Sequence, residues 1–191
     1  MSSKIKWGGL AGIAAAVLLI LSAIINQVTP IQSAYDSAAS YVYLAVVVVA
    51  YVGVIVAVLG IDALHRGRPR YGRLGTAATV TTIVGYAVTA IVTLISMIQG
   101  HASWLMVRIG GAGLVLIGSA LMGVIILRAR LLPWWCGVLL IVALPLGDVA
   151  NEIFSSAENL LLALLWGSVG VGLLARRQGA ESVASQPAQA S

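Results

Sequence analysis

Of the 191 residues, 60% are hydrophobic and only 9% are charged, with a mean hydropathy of +1.03; a soluble domain carries charge at roughly 25% of positions. Six membrane crossings of ~20 residues use about 120 residues and leave no room for a sizeable soluble domain. A water-soluble enzyme, a DNA-binding module and a transporter of ten or more spans are therefore excluded.

Apolar runs long enough to cross ~30 Å of hydrocarbon predict helices over 7–25, 43–63, 77–98, 109–127, 131–146 and 153–175. The expected fold is all-α, a polytopic transmembrane bundle of six helices forming one domain over residues 1–177. Ahead of the first helix, Lys4 and Lys6 followed by Leu10 to Leu21 also have the charge and apolarity of a signal peptide. The small residues suited to cleavage, Ser37 and Ala39, lie far beyond the apolar core, so a retained anchor is preferred; cleavage would leave five spans. The fifth run is the shortest, ends at Pro145 and is expected to be held at an interface by Trp134 and Trp135. Residues 178–191, rich in Ala, Ser, Gln and Gly, lack the apolar side chains that ordering requires and are expected to form a disordered tail.

Cytoplasmic loops retain Lys and Arg, which sets the threading. Lys4, Lys6, Arg66, Arg68, Arg70, Arg73, Arg128, Arg130, Arg176 and Arg177 share one side of the six-span arrangement, and only Arg108 falls on the other, with Asp36, Asp148, Glu152 and Glu158. Both termini are expected to be cytoplasmic, in a bacterial inner membrane. The formal net charge of +5 is polarised between the two faces. Arg66, Arg68, Arg70 and Arg73 crowd one inner loop, and each can contribute ~1 kcal/mol against anionic headgroups of the inner leaflet. Lipid is the expected partner there, and nucleic acid is not required.

The inner ends of the even-numbered helices share a pattern in which glycine precedes leucine by four and arginine follows: Gly60, Leu64 and Arg66; Gly123, Leu127 and Arg130; Gly170, Leu174 and Arg176. Three related hairpins and simple convergence of helix ends rich in Gly and Leu both produce it. Small residues four apart, Ser119 with Gly123 and Ser168 with Gly172, mark packing faces within the bundle or between protomers.

The third helix carries Thr79, Thr82, Tyr86, Thr89, Thr93 and Ser96 on a strip about 100° wide. Such hydroxyls either line a path for a small uncharged or zwitterionic solute or bond back to their own helix. No acid, lysine or histidine lies deep in an apolar run, which argues against a proton-coupled pump. Asp62 can pair with Arg66 one turn later. On the opposite face Asp148, Asn151, Glu152, Ser155 and Asn159 fall at helical spacing near the start of the sixth helix, where they can meet Asp36, His101, Trp104 and Arg108. Arg108 there either binds a carboxylate or is neutralised by Glu152 or Asp148. One histidine with acids from separate loops makes no spaced metal-ligand motif.

No serine elbow, His-Glu-x-x-His, phosphate loop or intramembrane aspartate pair is present, and Cys136 lies in apolar sequence that would quiet its thiol. The chain is expected to be non-enzymatic and to need no cofactor or metal. A site assembled from Asp148, Glu152 and His101 is the enzymatic alternative.

The stretch Leu127-Arg-Ala-Arg-Leu-Leu-Pro-Trp-Trp-Cys-Gly137 resembles a turn of uncharacterised small multi-pass membrane proteins of actinobacteria and related high-GC bacteria. That resemblance implies a location and no activity. Size, span number and termini are also similar to the substrate-binding subunits of energy-coupling-factor vitamin transporters. This implies docking on a scaffold through small residues of the first helix, here Ala11, Ala15 and Ala16. Two functional expectations follow. The first is a bundle that binds a membrane-protein partner, a second copy or lipid. The second is a solute-binding or transport subunit using Thr82, Tyr86, Thr89 and Thr93 with Arg108, Asp148 and Glu152.

Overall fold

Lipid offers backbone amides no hydrogen-bond partner, so long apolar runs satisfy them within helices. The computed structural model describes residues 3–28, 37–66, 71–100 and 104–184, with side chains to residue 176. Among them it forms α1 (Ser3–Val28), α2 (Ala38–His65), α3 (Gly72–Gln99), α4 (Leu105–Ala129), α5 (Trp134–Asn151) and α6 (Ala157–Ala184). All six are long and apolar enough to cross a membrane, so the chain is a multi-pass membrane protein.

The helices overrun the apolar runs where polar residues cap or continue them. Ser37 starts α2 by accepting a hydrogen bond from the Ser40 amide at 3.2 Å. α5 begins at Trp134 rather than at 131, because Arg130 turns left-handed at φ 54 to end α4 and Pro133 precedes the new helix in an extended conformation. It also continues through Pro145 to Asn151; proline inside a membrane helix is tolerated where neighbours compensate the lost bond. Asp148 and Asn151 therefore belong to the end of α5 and Asn159 to α6, so the expected five-residue polar strip is split by a turn. The Asn151 side chain accepts from the Ser156 amide at 2.7 Å to shape that turn. Gln27 and Asn26 at the end of α1 hold it by bonds to Ser155 and Ser156. α6 passes the expected boundary at 177 and runs to Ala184, through residues such as Ala, Arg and Gln that favour helix. Residues 185–191 lie outside the described residues.

Sequence neighbours pack side by side, α6 returns to α1, and α2 also touches α6. Helices α2 to α6 thus form a five-membered ring, with α1 laid into the seam between α2 and α6. Glycine sets the approach. A methyl group placed on Gly8 would lie 2.6 Å from the Gly60 Cα, and one on Gly12 would lie 3.1 Å from the Gly170 Cα. A methyl on Gly123 would lie 2.5 Å from the Gly137 carbonyl oxygen. The shared pattern at the ends of α2, α4 and α6 therefore has a packing role: two of its glycines grip α1 and the third clamps α4 to α5. These contacts also place the start of α1 beside the ends of α2 and α6 at one end of the bundle.

Ala15 and Ala16 are turned inward, 0% and 7% exposed, against Gly53 and Gly167. They are spent on holding α1 in its seam, which corrects the expectation that they face a scaffold.

Gly60→Val is expected to destabilise the bundle by about 1–3 kcal/mol through overpacking and to lower the recovery of monodisperse protein in size-exclusion chromatography. Gly110→Val, where no atom lies within 4 Å, should elute as the wild type does.

Candidate functional site

Tyr43, Val47 and Tyr51 on α2 recur every four residues and so share one helical stripe. That stripe faces the hydroxyl strip of α3 across a cavity of about 480 Å³, within the range of small-molecule sites. All five ring helices wall it: Tyr43 and Tyr51 from α2, Tyr86, Thr89 and Thr93 from α3, Arg108 and Ile109 from α4, Asp148 from α5, and Glu158 and Asn159 from α6. The charged residues lie near helix ends and Tyr51 and Tyr86 near helix middles. The cavity thus occupies the half of the bundle away from the chain termini and descends about 12 Å, eight residues of rise.

The floor is aromatic. Tyr51 and Tyr86 stand with ring centroids 5.3 Å apart, and Tyr86 meets Trp166 edge-on at 6.0 Å. Trp166 is wholly buried and donates its indole N–H to the Tyr86 hydroxyl at 3.3 Å. Tyr86 also lines the cavity, and its hydroxyl keeps one proton that it can donate. Asn159 likewise donates to the Tyr43 hydroxyl at 3.3 Å.

The α3 threonines do the reverse. Thr89 donates to the Gly85 carbonyl at 2.9 Å and Thr93 to the Thr89 carbonyl at 2.8 Å. Their protons are spent on the helix, and each oxygen presents only lone pairs to the cavity. These two residues thus bond back to their own helix and line the cavity as well. Thr82 is different: it is fully buried, donates to the Ala78 carbonyl at 2.8 Å and packs on Gly118 away from the cavity. Thr79 meets Tyr71 at 2.6 Å, outside the cavity as well.

Three charges face the space. Arg108 and Asp148 are exposed and Glu158 is half-buried. Among the described residues the ion pair within 4.0 Å is Arg66 with Asp62, so Arg108 makes no direct contact with Asp148, Glu152 or Glu158, although its charge acts on Glu158 across the space. Glu152 ends α5, exposed and outside the cavity, and Glu158 occupies the place expected for it. The reason is the turn at 152–156: it starts α6 at Ala157, with Glu158 in the first turn, where the helix dipole favours an anion. Gly147 on α5 lets Glu158 approach closely, since a methyl there would lie 3.0 Å from the Glu158 Cα. Tyr43 and Tyr51 were discoverable only as a two-turn repeat of aromatics in an otherwise aliphatic run. His101 and Asp36 lie outside the described residues.

A second polar cluster sits at the opposite end. Asp62, 6% exposed, takes Arg66 at 2.6 Å on one oxygen and the Tyr71 hydroxyl at 2.9 Å on the other. His65, fully buried, donates through Nδ1 to the Ile61 carbonyl at 2.8 Å and stacks on Tyr71 at 5.7 Å. The expected pairing of Asp62 with Arg66 is observed within the end of α2, and the Tyr71 bond to the same carboxylate ties the start of α3 to it. Arg73 is exposed beside it, while Arg68 and Arg70 lie outside the described residues.

The chain matches no protein-family model, no curated protein and no solved structure.

Burial pushes the Tyr71 phenol up from 10.0 to about 12, so the neutral, donating form is favoured by folding. Its contribution is complete below pH 10, the unfolded value, and is lost as pH rises through about 12. Tyr71→Phe is expected to cost about 1.5–3 kcal/mol at neutral pH, since it removes a bond to a carboxylate. In thermal melts the wild-type advantage should shrink between these two pH values; an advantage that did not change with pH would count against this role for the phenol.

Proposed function

We propose that the protein is a non-catalytic binding subunit of a bacterial cytoplasmic membrane, and that the α2–α6 cavity takes a small zwitterionic, amine-bearing molecule. The single observation that supports this most is the set of opposite charges facing one cavity without pairing: Arg108 against Asp148 and Glu158. A zwitterion completes that set. Its anionic group meets the guanidinium fork of Arg108, and its ammonium meets the two carboxylates and the threonine oxygens. Tyrosine faces attract an ammonium further, by ~0.5–2 kcal/mol. A bundle evolved only to pack against a partner has no reason to hold Arg108, Asp148 and Glu158 around one space without direct contact, so the solute-binding expectation is favoured over the partner-binding one. The basic residues at the opposite end support an extracytoplasmic cavity, since cytoplasmic loops retain Lys and Arg.

Radiolabelled glycerophosphoethanolamine is expected to bind sealed right-side-out vesicles containing the protein and not inverted ones. Arg108→Gln and Glu158→Gln should each weaken binding by about tenfold or more, as loss of one partner of a charge-assisted contact does. Binding that was indifferent to both substitutions, or that favoured inverted vesicles, would count against the reading.

A further inference from the structure

On α4, residues 112, 116, 119, 123 and 126 are spaced four and three apart and form one stripe. In the half nearer the chain termini this stripe packs on α5: Ser119, Gly123 and Ile126 are buried, and Gly123 meets Gly137, Leu140 and Ile141. In the other half the same stripe is uncovered. Ala112 is exposed and Leu116 is 41% exposed, yet both line the cavity. Neighbouring Gly113 also lines the cavity, and a methyl added to it would meet nothing within 4 Å.

α5 mirrors this. Gly137 and Ile141 touch α4, whereas Leu144 and Asp148, further along the same stripe, line the cavity, with Leu144 half-buried and Asp148 exposed. Pro145 sits where the contact ends, and it can donate no bond to the Ile141 carbonyl. Beyond the Gly123–Gly137 contact both helices line the cavity with exposed or half-buried side chains, Ala112 and Leu116 on α4 and Leu144 and Asp148 on α5, which points to an opening between them. The lips of this opening are aliphatic, Ile109, Ala112 and Leu116 on one side and Leu144 on the other, and they face the level of the hydrocarbon. A water-soluble solute gains nothing from such lips. An alkyl chain does, because it can stay in hydrocarbon while its headgroup occupies a polar site.

We propose that the α4–α5 opening is a lateral portal and that the ligand is an amphiphile whose amine-bearing headgroup enters the cavity while its aliphatic chain passes through the portal into the bilayer. This rests on the reading of the cavity as a binding site, and its test separates the two. Full-length protein in phosphatidylglycerol nanodiscs is titrated with lysophosphatidylethanolamine and with its chain-free counterpart, glycerophosphoethanolamine. In the wild type the chain-bearing compound is expected to bind with at least about tenfold higher apparent affinity, because the bilayer holds it at high local concentration beside the portal. Gly113→Trp, where an added Cβ meets nothing within 4 Å, narrows the opening and should bring the ratio of the two affinities to within about twofold of one, whatever its effect on glycerophosphoethanolamine itself. Leu116→Trp, on the exposed lip, should act in the same direction. Gly110→Trp, in equally open space but outside the cavity lining, should change neither.

Equal affinities for the two compounds in the wild type, or an advantage that survives both portal substitutions, would overturn the portal and leave the cavity as a binding site. Failure of the wild type to bind either compound would overturn both.

Discussion

Backbone contact at glycine sets how closely these helices stand, and the shape of the bundle follows from where such contacts stop. Between membrane helices there is no hydrophobic force to drive association, because lipid tails are as apolar as leucine; close van der Waals packing takes its place. Gly8 with Gly60 and Gly12 with Gly170 seat α1 against α2 and α6. Gly85 against Val115 and Gly111 against Thr89 hold α3 to α4, and Gly147 against Glu158 holds α5 to α6. Between α4 and α5 the contact at Gly123 and Gly137 serves only one half of the length. Bulky tyrosines face the ring interior in the other half, and the space they leave is the cavity.

Within that space the division of hydrogen-bonding roles follows from neighbours rather than from residue type. Thr89 and Thr93 have hydroxyls like those of Tyr43 and Tyr86, but the threonines give their protons to α3 while the tyrosines receive bonds from Asn159 and Trp166. The threonine wall therefore has only lone pairs to offer, while each tyrosine hydroxyl keeps a proton of its own. The charged rim repeats that duality with Arg108 set against Asp148 and Glu158. An ammonium and an anion on the same molecule satisfy both halves.

The architecture was legible because its signals are long and cooperative: twenty-residue apolar runs admit few alternatives, and the basic residues sort by side across the whole chain. Helix ends were less so, since they depend on single residues such as Pro133 and on the turn that places Glu158 rather than Glu152 in the cavity. The α3 strip identified the right helix, and Tyr86, Thr89 and Thr93 face the cavity as one reading required; Thr82 does not, because it sits where Gly118 brings α4 too close for any space to remain. Periodicity reports which face of a helix is inward and says nothing of how far away the next helix stands. The inward turn of Ala15 and Ala16 was hidden for the same reason: small residues mark a packing face without naming the neighbour that fills it.

The charges at Arg108, Asp148 and Glu158 stand apart around a space that we propose takes a ligand. A cryo-electron microscopy map of the protein in native-lipid nanodiscs tests this most directly. The expected map shows α4 and α5 diverging beyond Gly123 and Gly137, with non-protein density that contacts Arg108 at one end and Glu158 or Asp148 at the other. A map in which Arg108 bonds directly to Glu158, and α4 and α5 pack along their whole length with no space between them, would contradict it.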